Sequence, residues 1–400
     1  MRLILKEHII MVTKKITLNN PERFAQPHEI SRVKLEKAAW QACERLKNMA
    51  KSHYGLFPSN WSTDFKYTWD RNKNWVSGMY TGCFWLAYEL TGDKFFREVA
   101  ESHLDSYKVR LDRKTDLMGH DVGFPYMPSC AAAYMITGND YAKQIALDTA
   151  EFFYGNAYVQ RQELKYIKTT GYRTMMDTMM NACLFLWAGK ETGDEKYNIA
   201  GLNQFITTNH LLIRPDASSF HHYIFDPETA LPVRGTTLQG NSEESCWSRG
   251  HSWGVYAMAA AYEYTHEEWL EKLQKDITYF ALNNLPTDLI PYWDFDFTNG
   301  EEARDSSAGL IIACGMHEMA KHLPDGAEQK PIYESAAAQM LESIIDNCTD
   351  GFPTDDGLVL RVTASKPHGF GVDQVGVYGD FFYLEALARY ILGDKFIRYW

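Results

Sequence analysis

A short phrase that can end one helix and begin the next recurs along this 400-residue chain. Four copies contain a glycine: AYELTGDKFF at 87–96, AYMITGNDYA at 133–142, AGKETGDEKY at 188–197 and ARYILGDKFI at 388–397. A fifth copy, AAYEYTHEEWL at 260–270, lacks it. The glycine can take the left-handed conformation that ends a helix, and the Asp or Asn after it can cap the next helix. The phrase therefore predicts a series of paired helices.

The spacing of the phrases indicates how these pairs are arranged. The glycines at 92, 138 and 193 are 46 and 55 residues apart. Such a period accommodates two helices with their loops and is typical of arrays and closed toroids. We predict an all-α fold of helical hairpins around a ring. The segments with helical period are 28–51, 75–91, 94–111, 172–192 and 252–264, and short strands are expected only in loops at 219–234 and 356–364.

No linker divides the chain. Residues 1–27 are predicted to form an irregular lead-in. Residues 28–400 are predicted to form one domain because no Pro/Ser/Gly-rich stretch interrupts them. The N-terminal apolar stretch contains charged residues and lacks a small-residue cleavage site, so we expect no signal peptide. No stretch approaches the roughly 20 apolar residues of a membrane helix. As the sequence stands, we expect a cytoplasmic protein with no membrane partner.

Composition narrows the class of ligand. With 40 Lys and Arg against 52 Asp and Glu, the formal net charge is −12, and no basic run suggests a nucleic-acid partner. Aromatic residues make up 14% of the chain, and flat rings with polar groups suit the faces of sugars, although they also fill helical cores. The seven cysteines form no CxxC motif and are interpreted as reduced packing residues.

Two aspartates stand in loops that a ring of helices would bring to its central cavity. Asp121 lies in LMGHDVGFPY, and Asp177 lies in GYRTMMDTMMN at the start of an apolar helix. Burial on an apolar face raises the pKa of an aspartate and can keep it protonated as a general acid. Asp177 could instead be a helix cap or a charge favoured by the macrodipole. Asp121 could be a turn residue bonded to its own backbone.

Planar donors for an anion occur in a third region, 232–254. Gln239 and Arg249 could bind a carboxylate or a sulfate, and Trp253 lies one turn from Arg249 if that segment is helical. The alternative for Arg249 is an ion pair with Glu243 or Glu244.

The sequence predicts no metal and no organic cofactor. Adjacent His221 and His222 would point to opposite faces of a strand, and no nearby spacing completes a set of metal ligands. The chain also lacks GxxxxGK[ST], a GxGxxG that opens a helix after a strand, and GxSxG. The motifs that usually indicate a phosphate-containing cofactor or a serine esterase are therefore absent from the sequence.

Taken together, the motifs resemble those of the unsaturated glucuronyl hydrolases, glycoside hydrolase family 88. The resemblance covers roughly residues 55–395. It rests on WVSGMYTGCFWLAYELTGD at 75–93, HDVGF at 120–124, MMDTMMN at 175–181, FHHYIFD at 220–226, PVRGTTLQG at 232–240, WSRGHSW at 247–253, YWDFDF at 292–297, RDSSA at 304–308 and YGDFFYLEALAR at 378–389.

The resemblance implies an (α/α)6 barrel and an unusual glycosidase reaction. The substrate is the unsaturated uronic acid that polysaccharide lyases leave at the non-reducing end of glycosaminoglycan-type oligosaccharides. Water adds across the C4=C5 vinyl ether, and the resulting hemiketal opens and expels the aglycone. The carboxylate-separation rule for attack at the anomeric carbon does not apply.

The resemblance also assigns roles to individual residues. Asp177 matches the general acid/base, which protonates C4 and activates the water for C5, and Asp121 matches a second aspartate that holds sugar hydroxyls. The matched sugar-contacting positions are Trp75, His120, His221, Gln239, Arg249 and Trp253.

Two regions depart from the family pattern and bear on substrate choice. Thr170 stands where an aromatic residue often lines the aglycone side. In ASKPHGFGVDQ at 364–374, the side chains of Ser365, Lys366 and His368 could contact a sulfate or be solvated.

Other functions stay open at this point. The unsaturated rhamnogalacturonyl hydrolases of family 105 share the toroid and a similar hydration and act on pectin fragments. A non-catalytic sugar-binding toroid would keep the aromatic residues and lose the acid, and a helical scaffold would need an exposed apolar groove. The sequence does not distinguish a monomer from a dimer, nor does it identify the parent polysaccharide.

Overall fold

The structure is a computed structural model that describes residues 14–161, 164–169 and 171–400. Its α-helices begin with α1 Arg32–Ser52, α2 Ser77–Thr91, α3 Lys94–Ser102, α4 Leu104–Asp112, α5 Gly123–Tyr126, α6 Ala132–Thr137 and α7 Asp140–Ala157. They continue with α8 Thr178–Thr192, α9 Glu195–Leu211, α10 Ser248–Thr265, α11 Glu268–Asn283, α12 Ser306–His322, α13 Gln329–Cys348 and α14 Val377–Leu392. A π-helical turn, Met127–Ala131, joins α5 to α6.

One helix of each pair lies in an inner ring. In the described chain, α2, the α5–α6 unit, α8, α10, α12 and α14 contact one another in that cyclic order, and α14 returns to α2. The other helices pack outside this ring, with α9 against α8, α11 against α10 and α13 against α12. The predicted (α/α)6 barrel is thus confirmed. Inner helices are apolar on every side because neighbours and the barrel interior bury all their faces.

The helix junctions are built as the repeated phrase predicts. Gly92, Gly138 and Gly193 adopt left-handed φ values of +70°, +70° and +72° and end α2, α6 and α8. The side chains that follow accept hydrogen bonds from the first turns of α3, α7 and α9; they are those of Asp93, Asn139 and Asp194. These caps satisfy amide groups that have no partner within the helix.

The last copy of the phrase ends differently. Gly393 ends α14 with φ 56° and ψ −127°, and a short 3-10 turn follows in place of a helix. The chain then enters the barrel, where Tyr399 and Trp400 are fully buried. The Trp400 ring packs against Phe124 and Phe382, with centroids 5.7 and 6.3 Å away. The C-terminal ring therefore packs against α5 and α14, two elements of the inner ring.

Short antiparallel strands occupy the loops: β1 Phe57–Pro58, β2 Trp69–Asp70, β3 Tyr158–Arg161, β4 Leu164–Ile167, β5 Arg173–Met175, β6 His222–Phe225 and β7 Pro232–Thr236. They pair as β1–β2, β3–β4 and β5–β6–β7. The predicted strands at 219–234 are confirmed by β6 and β7.

Some predicted boundaries were wrong. The helix expected over 172–192 begins only at Thr178, because β5 pairs with β6. The helix expected over 94–111 is divided at His103 into α3 and α4. In the segment 356–364 of the described chain, the predicted strand is reduced to an isolated antiparallel bridge between Val362 and Gln374. Earlier in that segment, the amides of Leu358 and Val359 donate to the Asp380 carboxylate.

Two further features concern the chain as a whole. All seven cysteines lie in the described residues and are buried as free thiols, as predicted. Among the helices of the described residues, none is both long and apolar enough to cross a membrane.

Close contact between α10 and α12 generates a stability prediction. A Cβ atom at Gly315 would lie 2.8 Å from the Cα of Tyr256, so Gly315→Ala forces the two inner helices apart. We expect its free energy of unfolding to fall by about 1–3 kcal/mol, measured by urea denaturation. Gly155→Ala is the matched control. Gly155 lies in α7 with no atom within 4 Å of an added Cβ, so helix propensity should stabilise that variant. Equal effects of the two substitutions would contradict the packing argument.

Candidate active site

A cavity of about 300 Å³ opens at the N-terminal ends of the inner helices. Seven of the eight predicted site residues line it: Trp75, His120, Asp121, Asp177, Gln239, Arg249 and Trp253. The other lining residues are Asn60, Trp61, Phe124, Met175, Leu238, Trp247, Ala364, Ser365, His368, Phe370 and Tyr378. The cavity is therefore walled by aromatic rings with a few polar groups directed inward, as is typical of small-ligand sites.

Asp177 precedes α8 but does not cap it, because its side chain forms no capping hydrogen bond. Its Oδ1 is buried and has no hydrogen-bond partner in the described part of the chain. Burial raises the pKa of Asp177 to about 7; the negative charge of Asp121 adds to the rise, and Arg249 opposes it. The capping alternative is thus wrong, and Asp177 is an acid that can hold a proton near neutral pH.

Asp121 is held beside this acid by a hydrogen-bond network centred on Asn181. The Asn181 amide nitrogen donates to the Asp177 carbonyl at 3.0 Å and approaches the Asp121 carboxylate at 3.5 Å. Its oxygen accepts the amide proton of Phe124 at 2.9 Å. His120 Nε2 lies 3.3 Å from Asp121 Oδ1. These contacts favour a site residue over a turn aspartate bonded to its own backbone.

Arg249 forms a buried ion pair, although not with the predicted partners. Its Nη1 donates to the Asp305 carboxylate, and the two side chains are 2% and 0% exposed. Glu243 pairs instead with Arg234, at 2.6 Å. The alternative pairing of Arg249 with Glu243 or Glu244 is therefore wrong, and Asp305 is a site residue that sequence analysis missed.

Backbone carbonyls and aromatic rings complete the surroundings of Arg249. Its Nη2 donates to the Ala364 carbonyl at 2.6 Å, and Gln239 Nε2 donates to the same carbonyl at 2.7 Å. The guanidinium carbon lies 4.7 Å from the Trp247 ring and 4.5 Å from the Tyr378 ring. The two predicted anion donors are thus adjacent, and in this structure both hold the loop that begins at Ala364.

The rings deep in the cavity stack on one another. Trp253 lies one turn after Arg249 on α10, as predicted, with its centroid 5.1 Å from that of Phe124. Trp75 stacks on Tyr378 at 5.3 Å. These rings form a rigid apolar floor on which a sugar face can pack.

His221 does not reach the cavity wall. Its Nδ1 accepts the amide proton of Leu238 at 3.2 Å, and its ring lies 4.5 Å from that of Trp247. Burial lowers the pKa of His221 well below the ordinary value of a histidine, so the ring is neutral. His221 thus lies next to Leu238 and Trp247, two residues that line the cavity. Its Nε2 is buried and has no partner among the described residues, and its contact with a sugar stays a prediction.

The mouth of the cavity joins two loops that are distant in sequence. Trp61 stacks on Phe370 at 4.6 Å, and the hydroxyl of Ser365 bonds His368 Nδ1 at 2.8 Å. Ser365 and His368 line the cavity, whereas Lys366 lies 4.0 Å from Glu302. Thr170 falls outside the described residues.

Among the described side chains, one group has the spacing of metal ligands. It comprises Glu263, Glu318 and His322 and does not line the cavity. The Arg398 guanidinium lies 2.5 Å from Glu263 and 3.3 Å from Glu318. A permanent cation already neutralises these carboxylates, so they do not need a metal ion.

Some site residues that were not predicted lie in motifs that are recognisable in the sequence. Trp247 and Tyr378 lie in WSRGHSW and YGDFFYLEALAR at starts of helices, and Asn181 lies one helical turn after Asp177. Trp61 and Phe370 belong to no periodic pattern, and only the fold brings them together.

Comparison with known proteins identifies the family. A family model described as Glycosyl Hydrolase Family 88 matches residues 46–383. The unsaturated chondroitin disaccharide hydrolase of Streptococcus pneumoniae is 37% identical over 391 residues, which cover 94% of this chain and 98% of that protein.

Solved structures agree with this match. The unsaturated glucuronyl hydrolase of Streptococcus agalactiae has a TM-score of 0.93 at 34% identity, covering 98% of this chain and 100% of that one. A mutant of the same enzyme complexed with dGlcA-GalNAc6S has a TM-score of 0.86 at 33% identity, covering 97% and 100%. From its sequence, its barrel and its cavity, this chain belongs to glycosyl hydrolase family 88.

Proposed function

We propose that the chain hydrolyses the unsaturated glucuronyl residue at the non-reducing end of lyase-generated glycosaminoglycan-type oligosaccharides. Membership of family 88 makes it a glycoside hydrolase, and the names of its relatives and the dGlcA-GalNAc6S complex of one of them support this substrate class. The observation that carries the proposal is Asp177, a buried acid whose pKa is raised to about 7 in a cavity walled by aromatic rings.

Asp177 is assigned both proton transfers. The protonated carboxyl gives its proton to C4 of the vinyl ether, and water forms the new C–O bond at C5. The resulting carboxylate then takes a proton from that water, which regenerates the carboxylic acid. The C5 hemiketal opens to a ketone and the aglycone leaves from C1, so water is the only reagent consumed. An acid poised near the working pH is efficient in this role.

Asp121 supports this acid electrostatically and binds substrate. Its charge contributes to the raised pKa of Asp177, as the like-charge effect requires. Its carboxylate faces the same cavity and can accept hydrogen bonds from sugar hydroxyls, while His120 and Asn181 fix its orientation.

The anion of the substrate is assigned to the other side of the cavity. Arg249 and Gln239 are the planar donors there. Gln239 Nε2 and Arg249 Nη2 each give one proton to the Ala364 carbonyl and have a second that can be donated to an anion. Trp75 and Trp253 pack on the sugar ring. His221 acts indirectly by supporting Leu238 and Trp247. A cytoplasmic location remains a prediction from the sequence.

Replacing the proposed acid tests the assignment. Asp177→Asn is nearly isosteric but cannot give and take the proton, so turnover of unsaturated chondroitin disaccharide should fall by at least about 100-fold while affinity is retained. Turnover is followed as loss of the ultraviolet absorbance of the C4=C5 bond, and affinity by calorimetry. Asp276→Asn is the control, because Asp276 is buried in α11 with a raised pKa but lies outside the cavity. Near-wild-type turnover in Asp177→Asn would remove this residue from its role.

A substrate panel tests the reaction itself. We expect the absorbance of unsaturated chondroitin disaccharide to decay faster than that of unsaturated rhamnogalacturonan disaccharide. The reverse order would indicate a pectin-fragment hydrolase. Binding of either disaccharide with no loss of absorbance would indicate a non-catalytic sugar-binding protein.

The origin of the raised pKa can be tested without substrate. Removing the neighbouring charge in Asp121→Asn should lower the pKa of Asp177 from about 7. Carboxyl 13C NMR of aspartate-labelled protein measures this value, with Asp177→Asn identifying the signal. In wild type, kcat/KM should decline as pH rises through about 7, because Asp177 loses its catalytic proton. An unshifted signal in Asp121→Asn would contradict the proposed coupling.

A further inference from the structure

One charged residue of the site, Asp305, lies behind the cavity wall. Asp121, Asp177 and Arg249 line the cavity, and Asp305 lies behind Arg249 with no exposed surface. Asp121 raises the pKa of Asp177 and Arg249 lowers it. A negative charge next to Arg249 should therefore offset the effect of Arg249 on the pKa of Asp177, because charges in a water-poor interior are weakly screened.

Donors surround the Asp305 carboxylate. It accepts from Arg249 and from the hydroxyl of Ser307, and it is also bonded by the backbone amides of Thr363 and Ala308. A site that offers only donors stabilises the ionised form of a carboxyl group. Burial raises the pKa of Asp305 above its ordinary value, and Arg249 and the other donors oppose that rise. The ionised form is indicated by the geometry, in which every neighbour of the carboxylate is a donor and one of them is a guanidinium. We infer that Asp305 is ionised, so that Arg249 and Asp305 form a pair with little net charge.

We propose that Asp305 is a positioning residue that fixes Arg249 in the cavity wall and offsets its charge, so that Asp177 keeps its proton for catalysis. Asp305 touches no substrate and acts through Arg249. Its own place is fixed, because it precedes α12 and its backbone amide donates to the Pro291 carbonyl at 2.8 Å. This inference rests on the proposed role of Asp177.

The other titratable groups around the cavity do not replace this compensation. His221 is neutral, since burial lowers its pKa, and Tyr378 is un-ionised, since burial raises its pKa. His120 faces Asp121 at 3.3 Å, and His368, which also lines the cavity, bonds the Ser365 hydroxyl at 2.8 Å. Asp305 is consequently the carboxylate paired with Arg249, and its loss exposes Asp177 to an uncompensated positive charge.

Asp305→Asn tests the proposal. Asparagine keeps the shape and an acceptor for Arg249 but removes the negative charge. We expect the alkaline limb of kcat/KM on unsaturated chondroitin disaccharide to move down by about one pH unit. The 13C NMR titration of Asp177 should move by the same amount. A folded Asp305→Asn protein in which neither value moves overturns the proposal.

Two further variants separate charge from structural damage. Asp305→Glu keeps the charge with altered geometry, so it should leave the alkaline limb in place even if kcat or KM changes. Glu385→Gln disturbs another buried pair, that of Glu385 with Arg389 at 2.8 Å, and Glu385 does not line the cavity. It should cost stability without moving the limb. A shift of similar size in Glu385→Gln would show that the effect is not specific to Asp305.

A double variant covers the case in which Asp305→Asn does not fold. Arg249→Met combined with Asp305→Asn leaves no unpaired charge, and such neutral replacements of buried pairs are often tolerated. Its Asp177 signal should titrate at a lower pH than in Arg249→Met alone, because the charge of Asp305 is absent. Identical titrations overturn the proposal. Since NMR needs no substrate, an inactive wild type with the expected shifts would contradict the proposed function and leave the electrostatic inference intact.

Discussion

Desolvation inside the ring of inner helices governs both the stability of this protein and its chemistry. Charges placed there are costly unless they are paired. Arg389 accordingly meets Glu318 and Glu385 at 2.6 and 2.8 Å, and Arg249 meets Asp305. Asp177 is the exception at the cavity, because its buried Oδ1 has no partner among the described residues. Burial without a partner for Oδ1 raises the pKa of Asp177, so this carboxyl group keeps its proton at the cavity.

A raised pKa does not by itself identify a functional acid, as Asp380 illustrates. Burial also raises the pKa of Asp380 to about 7. Its carboxylate, however, accepts hydrogen bonds from the Tyr67 hydroxyl and from the amides of Leu358 and Val359. Asp380 therefore organises the 356–364 segment and has no free atom to offer a ligand in the cavity. What distinguishes Asp177 is the combination of burial, a missing partner and access to the cavity.

Local signals made the helix junctions and part of the site predictable. The glycine caps and the Asp and Asn caps act within one turn of chain, so they are legible in sequence, and Asp177 is marked by the methionines around it. Ion pairs between residues that are distant in sequence cannot be predicted in this way. The partner of Arg249 is 56 residues away and displaces nearer glutamates because it is buried. The fourth repeat phrase resembles the others, yet the chain after it enters the barrel, where Trp400 is buried. The position of His221 outside the cavity lining was not predictable either, because the sequence does not show which side of a wall a ring occupies.

The buried Trp400 ring bears on how an oligosaccharide can reach Asp177. Phe124 lines the cavity, and the fully buried Trp400 ring packs against Phe124. At this point the cavity wall is backed by another aromatic ring and not by solvent. Such a wall favours entry of an oligosaccharide by its terminal sugar. The expected action is therefore removal of a residue from a chain end and not cleavage of internal bonds.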